Sequence, residues 1–196
     1  MYKATQQQSG RSMIEMLGVL AIIGVLSVGG IAGYSQAMSK FKVTKTIDQI
    51  QTMVTNIRTL FASQRNYASV KTGSAVSQSE LLYSVGILTD EMCPGGGNAC
   101  TTPVNPYAGN ITLTGTGANN KLFLVAYAGL TADACVRLAT QDWGDASSGL
   151  ISIKVEGGTA VTKYTNVAGD LPMALSVASS GCGISGSNST FTLTYR

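Results

Sequence analysis

Residues 9–34 decide the fold and read SGRSMIEMLGVLAIIGVLSVGGIAGY. No charged residue occurs from Met16 to Ser39. An apolar run of about 20 residues is the length that an α-helix needs to cross a bilayer. Lys3 and Arg11 precede this run, and positive charges there favour a cytoplasmic N-terminus. The pattern therefore predicts one membrane-spanning helix, with the rest of the chain outside the cytoplasmic membrane.

Glu15 is a carboxylate inside the apolar segment, where a charge is costly and indicates a functional partner. Arg11 lies four residues earlier, and an i, i+4 pair on one helix face would relieve part of the cost. A cut after Gly10 would offer a second partner, because it would free an α-amine at Arg11. Glu15 of one copy could then pair with that amine in a neighbouring copy.

An ordinary secretory signal peptide is the alternative, with Ser35-Gln36-Ala37 as its cleavage site. Two features argue against a signal peptide. The apolar run is longer than the usual apolar region of such peptides, and Glu15 interrupts it.

The string from Ser9 to Leu17, followed by the apolar run, resembles the N-terminus of type IV prepilins. That family has a short polar leader ending in Gly, then an apolar helix with Glu as the fifth mature residue. Gly10 matches the residue before cleavage, Arg11 the new N-terminus and Glu15 the glutamate. The resemblance implies cleavage by prepilin peptidase and methylation of the new N-terminus. Arg11 departs from the family pattern, which has Phe, Met or Leu at the first mature position.

Beyond Lys40, apolar residues recur every three or four positions, which is the period of one helix face. They are Val43, Ile47, Ile50, Val54, Ile57 and Phe61, with Met53 and Leu60 widening the stripe. The charged residues off the stripe are Lys42, Lys45, Asp48, Arg58 and Arg65. No proline occurs before Pro94 to break a helix. We expect one helix from about Met13 to about Gln64, apolar in its first half and amphipathic in its second, which packs on the chain's own body.

Four glycines, Gly24, Gly29, Gly30 and Gly33, interrupt the apolar half. Small residues allow close packing between membrane helices. Each glycine also weakens a helix, so the cluster could be a soft region that unwinds when subunits crowd into a fibre. Pilins of several classes often carry a proline where this chain has Ala32.

The remaining residues predict a mixture of short helices and strands. Helices are expected at Ser77–Ser84 and over Thr131–Thr140, the second capped by Thr131 with Cys135, Leu138 and Ala139 inward. Alternating or apolar strands are expected at Ile111–Thr114, Lys121–Tyr127, Ile151–Val155 and Thr190–Tyr195, with a turn at Gly117–Asn120. A long helix followed by short antiparallel strands with helical insertions indicates an α+β fold.

Composition narrows the possible functions. The 196 residues carry a net charge of +3 and no histidine, with charged residues at 12%. This is too little positive charge for a nucleic-acid surface. The absence of histidine also excludes catalysis by histidine and metal binding by histidine. A membrane-anchored enzyme using Asp133, Asp142 and Asp145 is an alternative class. Because Asp142 and Asp145 flank Trp143-Gly144 in an apparent loop, they are better explained as solvated turn residues.

The four cysteines are Cys93, Cys100, Cys135 and Cys182. They allow three disulfide pairings, and disulfides persist outside the cytoplasm. Their spacing does not suit a zinc site, which uses closely spaced cysteine pairs. The glycine run between Cys93 and Cys100 lacks the Lys and Ser/Thr of a phosphate-binding loop.

The order of long helix, variable loop, sheet and C-terminal region resembles type IVb pilins. The segment Asn105–Leu113 is similar to the Asn-x-aromatic-Gly stretch that enters the sheet in that group. The resemblance implies a pilin fold, in which the helix packs on a small antiparallel sheet. It also implies disulfides between Cys135 and Cys182 and between Cys93 and Cys100.

The resemblance divides the chain into a leader (1–10), a transmembrane and assembly helix (11–39), an amphipathic continuation (40–66) and a globular α+β head (67–196). It predicts the major structural subunit of a type IVb-like pilus, processed by prepilin peptidase and held in the inner membrane with its head in the periplasm. Self-association, aided by the inner-membrane assembly machinery, would then build an extracellular fibre. No cofactor, metal, nucleic acid or catalytic residue is expected. A pseudopilin of a type II secretion system and a minor or adhesive pilin are the alternatives.

Overall fold

A computed structural model describes residues 9–64, 66–72, 76–95, 100–144, 147–157, 161–166, 171–183 and 189–196. For residues 9–12, 76–77 and 161–166 it describes the backbone. The chain divides into two compact units, Met1–Phe41 and Lys42–Arg196, which we call the stem and the head. The head includes the amphipathic half of the first helix.

The first helix, α1, runs without interruption over Ser9–Phe61. It starts four residues before the predicted Met13 and stops three residues before the predicted Gln64. Its end is a tight turn, in which the Gln64 amide donates to the Phe61 carbonyl at 2.9 Å. The prediction of one helix with no break between its two halves is confirmed.

Five antiparallel strands form one sheet in the head. They are β1 (Ile111–Thr116), β2 (Leu122–Leu130), β3 (Leu150–Gly157), β4 (Val161–Asn166) and β5 (Ser189–Tyr195). Their order across the sheet is β1-β2-β5-β3-β4, so the last strand of the chain lies in the middle. A 3-10 turn at Ala118–Asn120 links β1 to β2, where the sequence predicts a hairpin turn.

One face of the sheet is buried and the other is partly solvated. Alternate residues of β2 and β5 lie opposite each other on the buried face, for example Val125 opposite Leu193 and Tyr127 opposite Phe191. The opposite face carries threonines such as Thr192 and is half-buried. This alternation is typical of an antiparallel sheet that covers a core on one side.

The apolar stripe of α1 belongs to the same buried core as the sheet. Val43, Ile50, Met53, Val54, Ile57 and Phe61 are all buried in that core, and Ile47 is packed against it. The predicted packing of the amphipathic half on the chain's own body is confirmed. Leu60 is an exception, because 40% of it stays exposed. In the last turn Phe61 faces the core instead, with its ring 5.7 Å from that of Tyr67.

Three shorter helices complete the head: α2 (Val76–Ser84), α3 (Ala132–Ala139) and α4 (Leu175–Cys182). Thr131 caps α3, since its hydroxyl accepts from the Ala134 amide at 3.3 Å, as predicted. Cys135, Leu138 and Ala139 point inward, also as predicted. The sequence did not predict α4 or β4. The α+β fold, with a long helix on a small antiparallel sheet, is confirmed.

Two disulfides join the four cysteines, all of which are buried. Cys135 of α3 is bonded to Cys182 of α4, with Cα atoms 5.7 Å apart and a separation of 47 in sequence. Cys93 is bonded to Cys100, with Cα atoms 5.0 Å apart and a separation of only 7. This is the pairing that the resemblance to type IVb pilins implies.

The difference in loop length predicts unequal contributions to stability. A disulfide acts mainly on the unfolded chain, and the chain-entropy relation gives about 4 kcal/mol for a loop of 47 and about 2.4 kcal/mol for a loop of 7. The free energy of unfolding of the head, measured in urea, should therefore fall more in the double variant Cys135→Ser/Cys182→Ser than in Cys93→Ser/Cys100→Ser. Equal losses, or the reverse order, would contradict the loop-closure explanation.

Candidate functional site

The stem presents an exposed apolar helix surface. Every side chain from residue 13 to residue 38 is exposed, and most of them are large aliphatic groups or glycine. Among the described residues this helix is long and apolar enough to cross a membrane, with a mean hydropathy of 2.2 over its best window. An apolar surface of this extent is unfavourable in water, so it indicates contact with lipid or with other protein chains.

Glu15 lies near the start of this surface and is itself exposed. The next turn of the helix offers it Gly18 and Val19, neither of which carries a charge. Beyond Glu15 the next acid in the sequence is Asp48. The side chain of Arg11 lies outside the described part of the structure, as does the predicted leader up to residue 8. The two predicted partners of Glu15 therefore both stay predictions.

The four glycines of the apolar half lie within the continuous helix α1. At Gly24, Gly29, Gly30 and Gly33 an added methyl group would meet no atom within 4 Å. The single chain thus gives no packing reason for glycine at these positions. Close packing with other helices and a soft region that unwinds in the fibre both stay predictions.

The amphipathic half of α1 is held in the head by polar contacts as well as by its core stripe. Lys45 forms an ion pair with Glu91 at 2.9 Å, and the Lys42 ammonium lies 5.4 Å from the centre of the Tyr107 ring. Such partly exposed contacts contribute little individually. Two of the charged residues off the stripe, Lys42 and Lys45, therefore contact other parts of the head.

Arg58 makes the most constrained of these contacts. Its guanidinium donates to the Arg196 carbonyl at 3.1 Å and lies 5.6 Å from the centre of the Tyr195 ring. Gly149 leaves the space for it, because a Cβ there would be 1.7 Å from the guanidinium. Burial raises the pKa of Tyr195 to about 12, while the nearby Arg58 charge opposes that rise. Tyr195 therefore stays neutral at physiological pH. No local pattern in the sequence indicates this cluster, because Arg58, Gly149 and Tyr195 are far apart along the chain.

Asn105 shapes the segment that leads into β1. Its side-chain amide donates to the Ala128 carbonyl at 2.7 Å, and its oxygen accepts from the Tyr107 and Gly109 amides at 2.8 and 3.1 Å. Gly109 is needed here because a Cβ would lie 1.9 Å from the Ala128 oxygen. These contacts give a physical reason for Asn105 and Gly109 in the segment that the sequence analysis noted, and they involve only the backbone of Tyr107.

The acids suggested for an enzyme do not converge on one site. Asp133 pairs with Arg137 at 2.9 Å on the exposed side of α3. Asp142 borders an open cleft of about 300 Å³ between α1 and Tyr195, but its carboxylate accepts from the Gly144 amide at 2.9 Å, as a turn residue does. Asp145 lies outside the described residues. Within the described ranges no three His, Cys, Asp or Glu side chains are grouped to hold a metal ion.

An exposed apolar helix that continues into a head with one buried sheet face defines a type IV pilin fold. Solved structures agree. The chain is similar to the type IVb pilin from Salmonella typhi, with a TM-score of 0.52, 24% identity, and coverage of 77% of this chain and 96% of that one. It is also similar to TcpA, a type IV pilin from Vibrio cholerae El Tor biotype, with a TM-score of 0.51, 17% identity, and coverage of 79% and 99%.

Residues 36–196 match the Bundlin family, and the chain belongs to that family. It is 24% identical over 192 residues to the major structural subunit of the bundle-forming pilus of Escherichia coli O127:H6, covering 96% of this chain and 93% of the relative. It is 25% identical over 178 residues to the toxin coregulated pilin of Vibrio cholerae, covering 90% and 74%. The chain is a type IVb-like pilin, a structural subunit of a pilus. Its relatives are structural pilins and not enzymes.

The amphipathic half of α1 has one buried and one exposed face, which predicts different costs for truncating two neighbouring apolar residues. Ile57 is fully buried, whereas Leu60, one turn later, is 40% exposed. Ile57→Ala should lower the free energy of unfolding of the head by about 2–5 kcal/mol, because it leaves a cavity. Leu60→Ala, the matched control, should cost less than about 1 kcal/mol. Urea unfolding of both variants measures the difference, and similar losses would show that the stripe is placed wrongly.

Proposed function

We propose that this pilin is made as a prepilin, cut between Gly10 and Arg11, inserted in the inner membrane by its apolar helix half and polymerised into an extracellular fibre. The observation that carries the proposal is Glu15, an exposed carboxylate in a helix surface that is otherwise uncharged as far as Ser39. When lipid or other helices cover such a surface, a single carboxylate in it is costly unless a group of opposite charge pairs with it.

In the proposed fibre the apolar halves of many copies pack together and exclude water. A carboxylate buried there without a partner would cost several kcal/mol. The α-amine freed at Arg11 of a neighbouring copy supplies the opposite charge. At a separation of about 4 Å and an effective dielectric constant near 20, the attraction is about 4 kcal/mol. The pair would thereby set the axial register between successive copies.

The regions of the chain take distinct roles in this proposal. The leader (1–10) keeps the prepilin competent for processing and is removed by prepilin peptidase. The helix 11–39 holds the subunit in the inner membrane before assembly and forms the core of the fibre afterwards. The continuation 40–66 fixes the helix to the globular body of residues 67–196, which lies in the periplasm and later on the fibre surface.

Family membership supports the remaining parts of the proposal. The named relatives are subunits of a bundle-forming pilus and a toxin coregulated pilus, which are multimers of such chains. We infer that this chain also associates with itself and depends on assembly machinery in the inner membrane. N-methylation at Arg11 is part of the same proposal.

The proposal predicts that charge at position 15 is needed for assembly and not for folding. Glu15→Ala and the near-isosteric Glu15→Gln should both leave the head folded and the chain in the membrane, and should reduce surface fibres at least tenfold. Ser27→Ala, an exposed polar residue of the same helix half, is the matched control and should assemble normally. Electron microscopy and quantification of sheared surface protein measure the fibres. Normal pili from Glu15→Gln would rule out the charge-pair mechanism.

Mass spectrometry of the chain from its native cells tests the processing step. We expect a mature N-terminus at Arg11 that carries one added methyl group. A chain that still begins at Met1 would contradict peptidase cleavage. A chain that begins near Met38 would show that the apolar run is a signal peptide removed after Ala37.

A further inference from the structure

The two edges of the sheet differ in how their backbone groups are paired. At the β1 edge, the Thr72 amide donates to the Leu113 carbonyl at 3.0 Å, and a bridge joins Lys71 to Thr114. The strand at the other edge is β4, and β3 is its only strand neighbour among the described residues. A strand edge of this kind can pair with a strand of another chain.

The helix α4 lies against the face of this part of the sheet. Gly157, at the end of β3, shows the contact, because a Cβ there would lie 2.9 Å from the Gly181 carbonyl oxygen and 3.1 Å from the Gly183 nitrogen. Val155 is two residues before Gly157, so both lie on the same face, and Val155 is buried. This contact places α4 over the buried face, so the helix does not satisfy the outer backbone groups of β4 as a paired strand would.

The residues of β4 suit pairing with a second β4 strand in one register. Two identical strands that pair antiparallel about a two-fold axis place one residue directly opposite its own copy. An axis at Lys163 or at Tyr164 pairs most of the strand Val161–Asn166. At Lys163 the axis would bring two like charges together, which is unfavourable. At Tyr164 it makes a favourable aromatic pair, and Lys163 then lies opposite Thr165.

We infer that the outer edge of β4 binds the β4 edge of a second copy of this chain, with the two Tyr164 residues opposite each other. Successive copies in a helical fibre are related by a rotation with a rise, whereas a two-fold pair closes on itself. The edge contact therefore joins copies that belong to two different fibres. The inference rests on the proposed fibre and adds the surface and the residues through which neighbouring fibres associate.

A single edge contact is small, but fibres repeat it. One short strand from each copy buries much less surface than a stable complex of two proteins does. Along two fibres the contact recurs wherever a copy faces the neighbouring fibre, and linked contacts bind far more strongly than one alone. Pairing through β4 is thus a property of assembled fibres and not of single subunits.

Charges placed at the two-fold axis test the pairing. Fibres are sheared from cells that make the parent, Tyr164→Lys or Tyr164→Glu, and laterally associated fibres are pelleted at low speed and counted by electron microscopy. Each charged variant should form as many fibres as the parent, with several-fold fewer of them associated, because like charges face each other. Mixing Tyr164→Lys fibres with Tyr164→Glu fibres should restore association. The matched control Tyr164→Phe keeps the aromatic pair and should associate as the parent does.

The outcomes distinguish the edge contact from the proposed fibre. If the parent forms no fibres, the proposed function is wrong and the edge contact falls with it. If parent fibres form but do not associate, or if Tyr164→Lys fibres associate as parent fibres do, the fibre stands and the edge contact is wrong. A mixture of the two charged variants that associates no better than either alone would also overturn it, since the two residues would not be opposite each other.

Hydrogen exchange of parent fibres tests the edge without any substitution. An edge strand pairs only alternate amides with its neighbour, so about half of the amides of residues 161–166 should exchange quickly in fibres dispersed by dilution. These amides should become protected when the fibres associate. Full protection in dispersed fibres would show that the chain's own residues cover the edge. Unchanged exchange on association would show that another surface makes the contact, and either result overturns the inference.

Discussion

The structure depends on one helix that serves two environments. Residues 9–61 keep the same backbone hydrogen-bonding pattern throughout, so no break separates the stem from the head. Only the side chains change. From Met16 to Met38 apolar groups surround the helix on all sides and are exposed, whereas from Val43 onward a single stripe is buried in the core of the head. The helix that marks this chain as a pilin thus also provides much of the head's hydrophobic core.

The buried face of the sheet and the stripe of α1 belong to the same hydrophobic core. Its buried face consists of alternate residues of the central strands, and an aromatic series connects it to the end of α1. Phe61 is followed by Tyr67, then Phe123 and Tyr195, with neighbouring ring centres between 4.8 and 5.7 Å apart. Arg58 covers the last of these rings. The end of α1 and the sheet are therefore held together within the head by large side chains whose positions are fixed by packing.

Features with a clear period were predictable from the sequence. The step of three and four residues along α1 identified the buried stripe, and the alternation in β1, β2, β3 and β5 identified those strands, because side-chain direction follows the period of the backbone. The cap at Thr131 was predictable because a hydroxyl there satisfies a free amide. Glu15 also stood out in the sequence, since a single charge in an apolar run has no explanation from packing.

Other features depend on contacts between distant residues and gave no local signal. The helix α4 is rich in serine, has no capping side chain and packs by Ala178, Gly181 and Cys182, so its stability comes from its neighbours and not from its own residues. The cluster of Arg58, Gly149 and Tyr195 is assembled from three separate parts of the chain. Leu60 was wrongly placed in the stripe because periodicity does not show where the sheet stops covering the helix.

The central position of β5 has a consequence for folding. This strand lies between β2 and β3 and provides hydrogen-bond partners to both, yet it follows the other four strands in sequence. Without residues 189–195 in place, β2 and β3 each present a row of unpaired backbone groups at an open edge. The pairs β1–β2 and β3–β4 become one continuous layer only when β5 is inserted between them. Closing the sheet therefore depends on contacts between residues far apart in sequence, which is a slow step in the folding of a β-sheet.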